Sequence, residues 1–233
     1  MKLKIRTPFF EVGVKNYIYG NDVLKMAKVL DTCAEKYDID IIYFVPYTDI
    51  RTVSENTKNL MIFAPYMDTL RPGRGMADVL PEAIKAAGAR GVCMNHCEKP
   101  MSLSQIKKTI DRANELDLIT FACADSVAEA RAIAELHPDI INPEPTELIG
   151  SGNASSMDYV REVMEAIHKV DSHIMVEQSA GISNARQVYD FIMAGSNAAG
   201  SASGIFQSKD PYATAEEMVA AVRKARDEAR KIK

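Results

Sequence analysis

Residues 119–143 read Ile-Thr-Phe-Ala-Cys-Ala-Asp-Ser-Val-Ala-Glu-Ala-Arg-Ala-Ile-Ala-Glu-Leu-His-Pro-Asp-Ile-Ile-Asn-Pro. The first five residues, Ile119–Cys123, are an apolar, β-rich run. Ser126 and Glu129 follow at the spacing of a capping box, where a serine and a residue three places on satisfy each other's backbone N–H groups. Alanine and isoleucine carry a short helix from there, and Ile140–Pro143 opens a second apolar run. Strand, helix and strand in so short a stretch is the crossover unit that leaves its two strands parallel.

The same alternation extends in both directions. The strand candidates are Phe10–Val14, Ile41–Val45, Met61–Ala64, Gly91–Asn95, Ile119–Cys123, Ile140–Pro143, Ile174–Glu177 and Ala198–Ala202. Most are continuous apolar runs, as expected of parallel strands covered on both faces. Helices fill the intervals. Asn21 or Asp22 is placed to cap one reaching about Tyr37, with Val23, Ala27, Leu30 and Ala34 on one stripe. Pro81 suits the first turn of another, which stops near Gly88. Ser102 with Gln105 and Thr214 with Glu217 repeat the capping-box spacing, and Met218, Val222, Ala225, Ala229 and Ile232 form the apolar stripe of a last helix. Eight strands alternating with helices predict a single closed (β/α)8 barrel over residues 1–233. An open doubly wound sheet would carry a glycine-rich turn after its first strand, and Gly13 stands there alone. No Pro/Gly/Ser-rich linker divides the chain.

Composition narrows the function. Of 233 residues 47% are hydrophobic, enough for a sizeable core, and the net charge is −4 with no basic block. Nucleic acid and anionic membrane therefore have no electrostatic support as partners. The opening Met-Lys-Leu-Lys-Ile-Arg lacks the apolar run of a signal peptide, and no stretch reaches the ~20 apolar residues of a membrane span. Cys33, Cys93, Cys97 and Cys123 read as reduced thiols, and the expected location is cytoplasmic. Cys93, His96 and Cys97 form one loose cluster without the two tight ligand pairs of a structural zinc site, so no metal is expected.

In such a barrel, function gathers where the strands end. Lys15 follows strand one, His96 strand four and Glu144 strand six. Small-residue turns follow strands seven (Ser179-Ala-Gly-Ile-Ser183) and eight (Gly200-Ser-Ala-Ser-Gly204). A carboxylate can take a proton from carbon beside a carbonyl, and a neutral imidazole can hydrogen-bond the oxygen that becomes enediolate. A lysine offsets the developing charge, and turn amides can hold a phosphate dianion. Singly each residue has a plainer reading as solvated charge or turn former. Their convergence at one barrel face points to proton transfer on a small phosphorylated substrate, which needs no cofactor.

These residues resemble the triosephosphate isomerase family, most closely its short archaeal-type branch. The matching segments are Val-Gly-Val-Lys-Asn-Tyr (12–17), Val-Leu-Pro-Glu-Ala (79–83), Asn-His-Cys-Glu (95–98), Glu-Pro-Thr-Glu-Leu-Ile-Gly-Ser-Gly (144–152) and Ala-Gly-Ile-Ser (180–183). They span nearly the whole chain in the family's order. The resemblance implies a TIM barrel with Glu144 as base, His96 as neutral electrophile and Lys15 as cationic partner, steadied by Glu98. It implies a lid over 146–152 whose Gly150 amide meets the phosphate, further phosphate amides at Gly181, Ser203 and Gly204, and a homodimer or homotetramer.

Two positions depart from the family. Gly13 stands where it has an asparagine that touches the substrate, and Met76, in Arg71-Pro-Gly-Arg-Gly-Met-Ala-Asp78, where it has a threonine reaching the neighbouring subunit. Pro143 before the base is also unusual. Room beside Gly13 leaves open a paralogous isomerase of a four-carbon or larger sugar phosphate. A non-catalytic barrel that binds a phosphorylated metabolite is the alternative from another class.

Overall fold

The computed structural model describes residues 2–232. Met1 and Lys233, which the one-domain reading includes, lie outside the described residues. Eight parallel strands pair in chain order and close on themselves: β1 (Phe9–Gly13), β2 (Ile41–Phe44), β3 (Leu60–Ala64), β4 (Gly91–Met94), β5 (Ile119–Ala124), β6 (Ile140–Pro143), β7 (Met175–Gln178) and β8 (Ala198–Ser201). Closure is made by β1 against β8, with Phe9 beside Ala198 and Glu11 beside Gly200. Every expected strand forms, displaced by no more than a residue at either end. Helices α1 (Asn21–Tyr37), α2 (Ile50–Asn56), α3 (Pro81–Ala86), α4 (Leu103–Glu115), α5 (Val127–Ala134), α6 (Met157–His168) and α7 (Ala185–Met193) connect them, and α8 (Ser203–Phe206) and α9 (Pro211–Ile232) follow β8. The architecture is a (β/α)8 barrel.

Strand alternation sorts the apolar residues into two cores. Phe9, Ile42, Phe44, Met61, Phe63, Cys93, Phe121, Ile140 and Ala198 pack together as one cluster, the barrel's filling. Phe44 sets its ring edgewise against Phe63 and Phe121, with centroids 5.3 and 5.0 Å apart. The alternate strand residues, among them Val12, Tyr43, Ile62, Val92 and Ile141, face the helices and pack with Val23, Leu30, Ile106, Val163 and Val222. Both faces of the sheet are thus apolar, which is why the strands read as unbroken hydrophobic runs.

The helix starts partly follow the sequence reading. Ser102 and Gln105 make the full reciprocal box. Ser126 accepts from the Glu129 amide at 3.2 Å, but the Glu129 carboxylate takes the Asp125 N–H and the Asn95 amide instead. Two expectations fail. Gly20, in the left-handed region at φ 58, is the N-cap of α1 and offers no side chain. Thr214 lies inside α9, whose first turn is held by Asp210 accepting from Tyr212 and Ala213 at 3.1 Å each. Pro211 begins that helix because a first-turn proline lacks only an N–H that would go unpaired anyway. Among the described residues no helix is long and apolar enough to cross a membrane.

Candidate active site

The three charged or titratable side chains expected from the sequence meet at the carboxyl end of the barrel. Lys15 follows β1 in a backbone conformation, φ 47, that non-glycine residues seldom adopt. Its Nζ donates to Glu98 Oε1 at 3.2 Å. His96 is carried by a second such turn: Asn95, at φ 57, ends β4. The buried Asn95 side chain accepts the Met101 N–H at 2.8 Å and donates to the Cys123 carbonyl and Glu129, both at 3.0 Å. That network fixes where His96 leaves the sheet. Glu144 follows β6, and its backbone N–H donates to the Ala124 carbonyl at 2.7 Å.

Hydrogen bonds also settle how these groups are oriented. The Glu98 backbone N–H donates to Nδ1 of His96 at 3.1 Å. Nδ1 must then supply a lone pair, so the ring's proton sits on Nε2. Nε2 in turn lies 3.7 Å from Glu144 Oε2. The other oxygen of Glu144 accepts from the Ser179 hydroxyl at 3.1 Å, and the Asn142 amide donates to that hydroxyl at 2.8 Å.

Burial, followed by the positive charge of Lys15, lowers the His96 pKa, with Glu98 opposing. The imidazole is therefore neutral near pH 7. Burial raises the Glu144 pKa, with Glu98 adding, while Lys15 and the Ser179 hydrogen bond hold it down. Burial pulls Lys15 down, but the charges of Glu144 and Glu98 outweigh it and raise the ammonium above its ordinary value. The result is a desolvated carboxylate base, a neutral N–H donor and a cation around one space.

That space is a cavity of about 480 Å³. Lys15, His96, Glu98, Glu144, Gly150, Gly181 and Ser203 all line it, together with Tyr17, Tyr47 and Tyr66 at the rim and Gly13, Phe44, Cys93 and Phe121 deeper in. Gly204 is not among the lining residues. A Cβ there would meet the Ile182 carbonyl at 2.3 Å, so this glycine serves the close approach of α8 to the turn after β7. Gly181 is equally constrained, at φ 68 with the Asn153 carbonyl 2.0 Å from where a Cβ would stand. Through that contact the turn after β7 touches the far end of the segment holding the 3-10 turn Thr146–Leu148. The near end is tied by the Thr146 N–H donating to Asp125 at 2.7 Å, and Gly150 and Gly152 between are exposed.

Other residues singled out from the sequence lie away from the catalytic groups or pack behind them. Met76 is fully exposed in the irregular segment after β3. Cys93 and Cys123 are buried with sulfurs 3.8 Å apart, and Cys97 sits by Nδ1 of His96. Among the described residues no group of three His, Cys, Asp or Glu side chains is arranged to hold a metal. Sequence reasoning missed Asn142 and the Ser179 contact with the base. Period-two alternation from Ile140 puts Asn142 and Glu144 on the same inner face, a signal that was available.

The sequence model of the triosephosphate isomerase family matches residues 11–189. A triosephosphate isomerase of Methanothermus fervidus is 35% identical over 217 residues, covering 91% of this chain and 97% of that protein. One of Sulfurisphaera tokodaii is 31% identical over 96% of this chain and 99% of its own length. Among solved structures, the triosephosphate isomerase of Bartonella henselae superposes with a TM-score of 0.76 over 94% of this chain and 99% of that one. At 16% identity it shows a shared fold.

Proposed function

Because this chain belongs to the triosephosphate isomerase family and is an isomerase, we propose that Glu144, His96 and Lys15 carry the interconversion of glyceraldehyde 3-phosphate and dihydroxyacetone phosphate. The observation that carries the residue roles is the approach of His96 Nε2 to Glu144 Oε2, 3.7 Å, in one cavity with Lys15. The substrate's two adjacent oxygen-bearing carbons lie across this pair, within reach of both base and imidazole. Glu144 takes the proton from carbon beside the carbonyl, and the Nε2–H of His96 donates to the oxygen that gains charge. Glu144 then returns a proton to the neighbouring carbon, while the hydroxyl proton passes from one oxygen to the other, so the carbonyl changes place and the hydroxyl with it. Lys15 offsets the negative charge of the enediolate, and Glu98 steadies Lys15.

The turns at Gly181 and Ser203, with the Gly204 amide behind, hold the phosphate, and residues 146–152 close over it to bring the Gly150 amide in. Closure excludes water from an enediolate that otherwise loses phosphate. The reading extends to a homodimer or homotetramer in the cytoplasm, serving glycolysis and gluconeogenesis. The exposed segment 71–78, with Met76 fully bare, supports the association, and four unpaired cysteines fit a reducing compartment. The longer-sugar and binding-only alternatives gain nothing from relatives that carry the isomerase name. Assay of purified protein on the triose phosphates beside erythrose and erythrulose phosphates tests the substrate. Turnover of the trioses is expected, and activity confined to the four-carbon sugars would overturn the reading.

A further inference from the structure

Beneath the catalytic mouth the barrel holds two more carboxyl groups that proton transfer leaves unused. Side chains alternate along β1, so Glu11 lies one layer below Gly13 on the inner face. Glu11 is buried, yet it lines the floor of the cavity. A Cβ at Gly13 would stand 3.1 Å from Glu11 Oε1, so the bare glycine leaves that oxygen open towards the mouth. On β7, one strand beyond β8, Glu177 is fully buried and, while ionised, finds no hydrogen-bond donor for either oxygen. Gly200 makes room for both: a Cβ there would fall 2.2 Å from Glu177 Oε1 and 2.3 Å from Glu11 Oε2. Two carboxylates converging on one point in a low-dielectric interior repel strongly, and protons relieve that.

We propose that Glu11 is a further substrate-binding residue: held by Glu177 beneath the bare Gly13, it presents a carboxylic acid O–H to an oxygen of the substrate's carbon chain. The assignment rests on the isomerase reading of the cavity. Glu177 donates its own O–H to Glu11, which leaves the proton of Glu11 free for the ligand. The groups facing the pair are Lys15 beyond β1, Cys93 on β4, Cys123 on β5 and Glu144 beyond β6. Burial, then the charge of Glu144, pushes Glu11 up to about 8, with Lys15 and the Glu177 hydrogen bond opposing. Burial, then Glu11 and Glu144, raises Glu177 well above the usual carboxylate range. Both groups therefore keep their protons near pH 7. The substrate brings a phosphate dianion and develops enediolate charge, which an acid O–H stabilises and a carboxylate repels. Binding weakens as pH rises and Glu11 ionises.

The test is a pH profile of kcat and KM on the triose phosphates for the wild type, Glu11→Ala and Glu11→Gln, joined to infrared difference spectra. Loss of one hydrogen bond with Glu11→Ala raises KM on the order of tenfold near pH 7. Glu11→Gln, whose amide donates at every pH, recovers most of that loss and lacks the wild type's weakening above about pH 8. The C=O band of a protonated carboxylic acid, present in the wild type, diminishes in Glu11→Gln. An unchanged KM in Glu11→Ala, an alkaline limb shared by wild type and Glu11→Gln, or no acid band overturns the proposal. A role in folding alone would shift thermal stability and leave KM and the pH profile in place. If Glu11→Ala does not fold, Glu11→Gln and the spectra decide. Glu144→Gln separates the two readings: its activity tests the base, while its acid band still reports on Glu11 and Glu177.

Discussion

The backbone N–H of Glu98 donates to Nδ1 of His96 at 3.1 Å, which leaves Nε2 as the ring's proton carrier, 3.7 Å from Glu144. A neutral donor suits an enediolate better than an imidazolium would, because it stabilises the charge without surrendering its proton at once.

His96 is accordingly expected to titrate below the ordinary histidine value, since burial and Lys15 both disfavour its cation. Nitrogen NMR of labelled His96 checks this: the Nε2–H tautomer should persist through neutral pH. Replacing His96 with Ala removes a donor aimed at developing charge and should lower kcat by about 10²–10³. An imidazolium at pH 7 would contradict the assignment.

Ser179 is expected to set the acid limb of the rate profile. Its hydroxyl donates to Glu144 and favours the charged form against burial. In Ser179→Ala the base keeps its proton to higher pH, so the acid limb of kcat/KM moves upward. Activity well above that limb changes little. Profiles of the two proteins compared on the same substrate read the direction, and a downward shift contradicts it.

Gly181 and Gly150 offer a matched pair of backbone tests. Both have positive φ, 68 and 71, but only Gly181 has a carbonyl, that of Asn153, where a Cβ would go. Gly150→Ala should cost about 1 kcal/mol from conformation alone. Gly181→Ala should cost more, lowering the melting temperature by an extra ~2–4 °C for each further 1 kcal/mol, and should raise KM by disturbing the turn assigned to the phosphate. Equal melting temperatures would show that Asn153 yields freely.

The barrel was legible because both faces of its strands are buried, so Ile41–Phe44 and Ile119–Ala124 read as continuous apolar runs between capped helices. Strand ends slipped by a residue because pairing, rather than hydrophobicity, decides them. Asn95 leaves β4 through a left-handed turn that its side-chain partners impose, and nothing local announces those partners. Lys15, His96 and Glu144 could be selected from their places after strands. Ser179 was seen only as part of a small-residue turn, since its contact with Glu144 crosses 35 residues. The Glu11–Glu177 pair stayed hidden for the same reason: β1 and β7 become near neighbours only when β8 closes the barrel between them.

The most direct measurement is steady-state isomerisation of glyceraldehyde 3-phosphate by wild type and Glu144→Gln, both prepared from a host that lacks an isomerase of its own. With Glu144 as the proton-transferring base, kcat falls by about 10²–10⁴ while substrate binding changes only a few-fold. A Glu144→Gln protein that turns over at the wild-type rate would contradict the assignment and move the base elsewhere in the cavity.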